Sequence, residues 1–466
     1  MAVYAKNLLS HLAGVGELGA VDSPEIHVGI LAFEAARAMS KLITLHRALT
    51  ANSFSTLCNT KIKFTGVVHL NSDDEPYLLR IACAEFLSDL NHIASAISRL
   101  SATSTAPWPR GFSHVYSDLK SGSADFHLRL CFPAHMLDKK VKKMEALVFA
   151  TSSLHGEMEK LAEMEVSEKK LEQWKAYNGL VPANGGDSHA NNPPGADAFL
   201  KKLGMQRKLV KKLQDESLWN QSKEKVSELM AHAAITVFTR ICTVFEKYVT
   251  ELPVVTDRHG KFWAAPKIDI PGVNLMSSHL DRPGGINGTA PKFPGQIPRS
   301  TQIVPVKMEL AKWTTKTLEP PPESCGAAGL ALRYAEVISL AEKMLHLPSN
   351  STEHKEEREE LYQLLPGTLR TALRTRLKSS SGEMGINGVP AVEGRRVLEW
   401  LAPIAHDTIK WYSQKSCEKQ SIDPVSKVFM LQTLEISDRK AVEMRIVDVV
   451  VAVNSVFHSD SGRKHV

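Results

Sequence analysis

Two groups of basic side chains are the best candidates for binding chemistry in this sequence. The first places six cations within twelve residues, with no acid among them: Lys201, Lys202, Arg207, Lys208, Lys211 and Lys212. Apolar residues recur among them at Phe199, Leu203, Leu209 and Leu213, and this pattern predicts a basic amphipathic helix. Such a helix lies on an anionic membrane, serves as a nuclear-import signal or binds calmodulin. The alternative is a solvated face of a helical bundle.

The second basic group is a row formed by Arg370, Arg374 and Lys378, which follow one another at intervals of four residues. On a helix this spacing places all three on one face. The same segment carries apolar residues at Leu365, Leu369, Leu373 and Leu377. A basic row of this kind suits a phosphate group or an acidic peptide. Solvated surface is again the alternative.

No set of residues predicts a catalytic, cofactor or metal site. The segment Gly14–Gly19 matches G-x-G-x-x-G, but the dinucleotide motif needs a strand before it. Residues 4–12 look helical instead, so we predict a flexible glycine linker. The six cysteines are scattered without a C-x-x-C pair, which fits reduced thiols and neither a disulfide framework nor a zinc site. We therefore predict no enzymatic activity, no cofactor, no metal and no small-molecule substrate.

The composition is that of a globular protein with a mild positive charge. A chain of 466 residues is long enough for two or three domains, and 43% hydrophobic with 23% charged residues argues against disorder. The net charge of +6 favours acidic partners or membrane surfaces but does not indicate specific nucleic-acid binding. We predict no membrane span, and a location in the cytoplasm, the nucleus or both, with peripheral plasma-membrane association as a further expectation.

Apolar residues recur every three or four positions along most of the chain, which predicts an all-α fold made of helical bundles. One predicted helix covers 76–100. A longer one covers 136–177, contains no proline and would extend about 60 Å. Because Glu165 and Glu168 interrupt its apolar seam, we predict that it packs within a bundle and does not form a continuous coiled coil.

A change in composition divides the helical chain in two. Residues 253–322 contain eleven of the 24 prolines, and proline blocks helix formation, so this range is predicted to be a Pro/Gly-rich linker between two helical regions. The predicted organisation is a flexible N-terminal segment (1–27), an N-terminal helical domain that includes the long helix (28–252), the linker (253–322), a C-terminal helical domain (323–458) and a basic tail (459–466).

Several separated blocks of the sequence resemble the plant PSK SIMULATOR family. Two blocks resemble its N-terminal domain, Gly29–Glu34 and Leu79–Glu85, and two resemble its second domain of unknown function, Gly326–Ile338 and Leu369–Arg374. Ser217–Asn220 and Glu399–Pro403 also fit, so the likeness spans residues 28–457. The resemblance implies a plant protein that supports vegetative growth. It also implies a link to signalling by the sulfated peptide hormone phytosulfokine, without a known enzymatic activity.

These observations lead to three hypotheses. The first is a non-enzymatic regulatory protein that promotes plant growth by binding other proteins. The second is a peripheral membrane scaffold that binds anionic lipid through the basic helix at 201–212. The third and least favoured is an enzyme in which Glu34 and Glu85, both in the resembling blocks, face one cavity with raised pKa values.

Overall fold

The protein is described by a computed structural model over residues 26–102, 107–122, 130–178, 195–253, 306–346, 352–380, 389–415, 422 and 426–462. In these ranges the chain is all-α, which confirms the predicted fold class. The β pairing found there is limited to two isolated bridges, one between His27 and Ser222 and one between Ser324 and Asp438.

The N-terminal half, residues 26–253, contains helices α1 to α9. Their bounds are Ala32–Ala48, Ala51–Thr56, Thr65–Leu70, Glu75–Ser101, Pro107–Arg110, Phe112–Lys120, Ala134–Asn178, Ala196–Glu216 and Lys223–Phe245. Helix α4 begins where the Asp74 carboxylate accepts the Tyr77 backbone N–H at 3.4 Å, because a short acidic side chain satisfies a free amide of the first turn. Pro76 lies in that turn, where no intrahelical donor is needed.

The first hydrophobic core lies between α1, α4 and α9. Their facing sides bury Met39, Leu42, Phe86, Phe238 and Phe245, none more than 1% exposed. Helix α9 is long and apolar enough, by length and composition, to cross a membrane, the one helix of the described ranges that meets this test. Its burial between α1 and α4 accounts for that apolar character, because core helices of folded proteins have the same composition.

The predicted long helix is α7, and it forms an antiparallel hairpin with α8. The observed bounds, Ala134–Asn178, exceed the prediction by two residues at the start and one at the end, and give a length of about 65 Å. The hairpin has a small core of its own in which Leu154 and Leu161 of α7 meet Leu203 and Val210 of α8. The helix therefore packs within a bundle, as the interrupted apolar seam predicted.

The C-terminal half, residues 306–462, contains helices α10 to α15. Their bounds are Val306–Thr317, Ala331–His346, Thr352–Leu364, Gly367–Ser380, Val389–Lys415 and Arg439–Gly462. A second core lies between α11, α14 and α15, where Tyr334, Ile338, Leu401 and Ile446 are at most 1% exposed.

The observed boundary between the halves differs in detail from the one that the composition predicts. Helix α10 lies within the predicted linker at 253–322, whose residues 254–305 are outside the described ranges. Leu310 of α10 is 3% exposed in the first core, and the Arg80 guanidinium of α4 lies 5.7 Å from the centre of the Trp313 ring. Proline content therefore does not reveal that residues 306–317 are helical and belong to the N-terminal core.

Candidate functional site

The first basic cluster lies on α8, and five of its six cations point outward. All six side chains are exposed, and those that point outward are lysines: Lys201, Lys202, Lys208, Lys211 and Lys212. Arg207 instead faces α7, where its Nη2 lies 2.6 Å from Glu168 Oε2 and 3.4 Å from Glu165 Oε1. The hydrogen bond to Glu168 raises the pKa of the Arg207 guanidinium. Arg207 therefore links α8 to α7, and the five lysines form the outward basic surface.

The apolar side of α8 is largely covered by α7. Leu203 is 1% exposed, and Phe199 and Leu213 are partly buried beside it. Leu209 differs, because it is 40% exposed, and Met205 on the same outward side is 58% exposed. The face that the sequence predicted for a partner is thus divided between the hairpin core and the surface. Binding of a partner or a lipid by this helix stays a prediction.

The second basic row lies on α13 and contacts the preceding helix α12. The Arg370 guanidinium lies 5.3 Å from the centre of the Tyr362 ring, and its Nη2 donates to the Gln363 carbonyl at 3.2 Å. Arg374 Nη2 donates to the Tyr362 hydroxyl at 3.2 Å. Lys378, two turns after Arg370, is exposed. Arg370 and Arg374 are therefore held by groups of α12, and phosphate or peptide binding by this row stays a prediction.

The two carboxylates of the enzyme hypothesis occupy different environments. Glu34 is half exposed and pairs with Arg99 at the rim of a cavity of about 110 Å³ between α1, α4 and α9. This volume is well below the roughly 300 Å³ at which ligand pockets begin. Glu85 does not line that cavity, because it is buried against the C-terminal half. The two side chains do not share a pocket, so the catalytic pairing suggested by the sequence is wrong.

Glu85 is the centre of a buried polar contact between the two halves. Its Oε1 accepts the indole N–H of Trp411 at 2.6 Å, and its Oε2 accepts the backbone N–H of Met430 at 2.8 Å. Lys427 Nζ lies 2.6 Å from Asp89 Oδ2 and 3.8 Å from Glu85 Oε1. We call Glu85, Asp89, Trp411 and Lys427 the Glu85 centre. A buried carboxylate with this many donors is structural, because each bond offsets the cost of its desolvation.

The charge of Lys427 is maintained by its two carboxylate neighbours. Burial lowers the pKa of the ammonium group, but Asp89 and Glu85 together outweigh that effect and hold the pKa above its ordinary value. The aromatic rings of Phe86 and Phe429 lie 5.7 and 5.2 Å from Nζ and also favour a cation. Lys427 is therefore a charged member of the Glu85 centre at neutral pH.

We expect the Glu85 centre to weaken in alkali. A group whose pKa is raised on folding contributes stability that is complete below its unfolded pKa, about 10.4 for lysine. That contribution is lost as the pH rises through the folded pKa of Lys427. The difference in unfolding free energy between wild type and Lys427→Met should therefore shrink as the pH is raised above this value in urea titrations. A difference that stays constant across this range would contradict a charged Lys427 in the folded protein.

A segment between α14 and α15, residues 426–438, connects the Glu85 centre to both halves, and its regular structure is one 3-10 turn at Met430–Gln432. Asn71, just after α3, donates its side-chain N–H to the Leu431 carbonyl at 2.6 Å. Thr408 of α14 accepts the Leu434 N–H at 2.9 Å, and the Tyr412 hydroxyl donates to Glu435 at 2.6 Å. This segment was not predicted from the sequence, although Lys427 lies directly before the apolar run 428–431.

A further close contact joins α3 to α14. Gly66 of α3 is buried against Trp400 and Ile404, and a Cβ atom added to it would lie 2.7 Å from the Trp400 carbonyl oxygen. Only a residue without a side chain allows the two helix backbones to come this close. Gly66 and the Glu85 centre thus join the same two halves at two different places.

This structure defines an all-helical protein in which two domains pack against each other through buried contacts. Two family models match these domains: residues 30–86 match a domain of unknown function (DUF3475), and residues 324–410 match a protein of unknown function (DUF668). Glu85 lies in the first match, and Trp411 directly follows the second. The segment 426–438 lies outside both matches and completes the contact between them.

The chain is similar to three curated proteins of Arabidopsis thaliana. It is 24% identical to Protein PSK SIMULATOR 1 over 91% of this chain and 55% of the relative. For Protein PSK SIMULATOR 2 the values are 23%, 94% and 61%, and for Protein PSK SIMULATOR 3 they are 25%, 86% and 50%. These matches confirm the resemblance to the PSK SIMULATOR family, although the chain spans only half to about three-fifths of the relatives' length. No solved structure matches.

Proposed function

We propose that this is a non-enzymatic plant regulatory protein that promotes growth, is linked to phytosulfokine signalling and acts by binding other proteins. The names of the three relatives support the regulatory context. The contacts of the buried Glu85 carboxylate support binding, and not catalysis, as the mode of action. Glu85, the buried carboxylate of the resembling blocks, is engaged by Trp411, Met430 and Lys427, so its role is to hold the two matched domains together.

The observation that carries the proposal is that the similarity includes both matched domains and that these domains form one packed body. Such a body has a fixed outer surface, and a fixed surface binds partners at a lower entropic cost than a flexible one. The outward sides of the helices then serve recognition, while their inward sides form the two cores.

Complementation in plants tests this function. The chain is expressed in a line in which the three relatives are disrupted, and root growth is measured with and without phytosulfokine. We expect wild type to restore the hormone-dependent part of growth. The variant Glu85→Ala should restore it less, because the domains no longer pack stably, and the matched surface variant Glu34→Ala should restore it fully. Absence of any restoration by wild type would contradict the proposal.

Purification of the tagged protein from plant tissue tests the mode of action. We expect at least one protein partner that is recovered reproducibly with wild type and Glu34→Ala and is reduced with Glu85→Ala. A tagged helical protein of similar size and charge is the control for nonspecific binding. Recovery of no reproducible partner, or turnover of a small molecule by the purified protein, would contradict a non-enzymatic binding role.

A further inference from the structure

The α7–α8 hairpin concentrates exposed apolar side chains. Of the fifteen large hydrophobic residues that are exposed in the described ranges, eight lie on these two helices: Met136, Phe149, Val166, Trp174, Tyr177, Leu200, Met205 and Leu209. Apolar side chains exposed singly are ordinary on a protein surface, but neighbouring ones such as Met205 and Leu209, one helical turn apart on α8, indicate a candidate interaction site. The hairpin therefore carries more exposed apolar side chains than the rest of the described surface.

The outward face of α8 combines these apolar groups with positive charge. Lys201, Met205, Lys208 and Lys212 follow at intervals of four, three and four residues and so form one stripe along the helix. Leu209 is one helical turn from Met205 and borders the same stripe. No acid occurs between Asp197 and Asp215 in the sequence. The face is therefore cationic over about three turns, with one thioether (Met205) and one aliphatic side chain (Leu209) at its middle, and Lys212 at its end lies 3.7 Å from Glu216 Oε1.

We propose that this face of α8 is a docking surface for an anionic lipid bilayer. The lysines would contact acidic headgroups, and Met205 and Leu209 would enter the boundary between headgroups and acyl chains. This is the depth reached by interfacial helices, which gain affinity from apolar insertion and from charge together. The inference goes beyond the proposed regulatory function and does not rest on it, because protein partners could bind elsewhere on the same body.

The choice of cation favours a bilayer over an acidic protein. Arginine forms directional, paired hydrogen bonds with carboxylates, whereas lysine acts as a mobile point charge. In α8 the single arginine, Arg207, makes directional bonds across the hairpin to Glu165 and Glu168 of α7. The outward cations are all lysines, which suit a fluid layer of headgroups without fixed positions.

The apolar pattern limits how α8 meets the bilayer. Leu203 and Val210, on the opposite side of the helix, are buried in the hairpin core at 1% and 3% exposure. They cannot enter lipid while the hairpin is folded. We therefore infer a shallow, reversible contact through the lysine side, which differs from an amphipathic helix that inserts its main apolar face.

Sedimentation with vesicles tests the proposal on the full chain. We expect wild type to sediment with phosphatidylcholine vesicles that contain phosphatidylserine and to remain in solution with phosphatidylcholine alone. Binding should weaken as salt is added, because exposed charges are screened over about 10 Å at 0.1 M ionic strength. Equal binding to both kinds of vesicle, or binding to neither, would overturn the proposal.

Two triple variants with the same net charge separate the site from overall charge. Replacing Lys201, Lys208 and Lys212 by Glu should weaken vesicle binding by at least about tenfold, since each surface lysine contributes about fivefold. Replacing Lys139, Lys142 and Lys143 by Glu, which are exposed near the start of α7, should weaken it clearly less. Circular dichroism and thermal melting check that both variants fold. Equal losses in the two variants would overturn the assignment to α8.

Two further measurements test the apolar contribution and the alternative of an acidic protein partner. Met205→Ser together with Leu209→Ser keeps every lysine and should weaken vesicle binding several-fold, because apolar insertion is lost. Soluble polyglutamate serves as a probe for an acidic protein partner. Binding of polyglutamate through the three α8 lysines, without sedimentation with anionic vesicles, would overturn the proposal that this face binds a bilayer. It would indicate an acidic protein as the partner of this face.

Discussion

Replacing Glu85 by alanine is expected to lower the free energy of unfolding by about 3 to 5 kcal/mol. The change removes the acceptor of the Trp411 indole N–H and the Met430 backbone N–H, and both donors then stay buried without a partner. It also leaves Lys427, whose side chain is 7% exposed, with Asp89 as its remaining carboxylate. Chemical denaturation followed by circular dichroism measures the loss.

The matched control for this change is Glu34→Ala, which removes a carboxylate from the same N-terminal half. The side chains of Arg99 and Glu34 are 63% and 42% exposed, so the expected change is within about 1 kcal/mol. Combining Glu85→Ala with Lys427→Met should recover part of the lost stability, because a buried ion pair can be replaced by apolar groups at little net cost. Equal stabilities of Glu85→Ala and Glu34→Ala would show that the Glu85 centre does not join the domains.

Replacing Gly66 by alanine is the second change with a large expected effect, a loss of about 1 to 3 kcal/mol of unfolding free energy. The new methyl group would meet the Ile404 side chain and lie 2.7 Å from the Trp400 carbonyl oxygen. The side chain of Ile404 can rotate, but the backbone oxygen can move only with its helix. Helix α3 must therefore shift away from α14, which loosens the contact between the domains. Thermal unfolding measures the effect.

Gly156→Ala is the matched control for this substitution. Gly156 lies inside α7, and an added Cβ there would meet nothing within 4 Å. Alanine at such a helical position is more stable than glycine by about 0.5 to 1 kcal/mol. The two substitutions add the same methyl group and are expected to have opposite signs. A gain in stability with Gly66→Ala would contradict the close approach of α3 and α14.

The helices could be predicted from the sequence because the residues that determine each helix are close together in the chain. The long helix was predicted at 136–177 and observed at Ala134–Asn178, since apolar spacing and the absence of proline depend only on neighbouring residues. The resemblance blocks also identified both matched domains. Helix α10 was missed within the predicted linker, because its proline-rich surroundings dominate the composition while Leu310 finds its core more than 200 residues away.

The contacts between distant parts of the chain could not be predicted in this way. Glu85 was singled out as a candidate acid, but its partners Trp411 and Lys427 follow more than 300 residues later. Periodicity likewise shows that one side of α8 is apolar without showing that α7 covers it. Arg207 was grouped with the outward lysines for the same reason, because the acids that bind it lie on another helix. A sequence pattern predicts which side of a helix is apolar or charged, but only the folded structure shows which groups contact that side.

Native-state hydrogen exchange is the most direct test of the central claim that the two matched domains form one cooperative body joined at Glu85. Amide exchange is compared between wild type and Glu85→Ala, peptide by peptide, by mass spectrometry. We predict that the slowest amides of α4 and of α14 lose protection by the same factor, because both domains open together. Loss of protection in one of these helices, with the other unchanged, would contradict the claim.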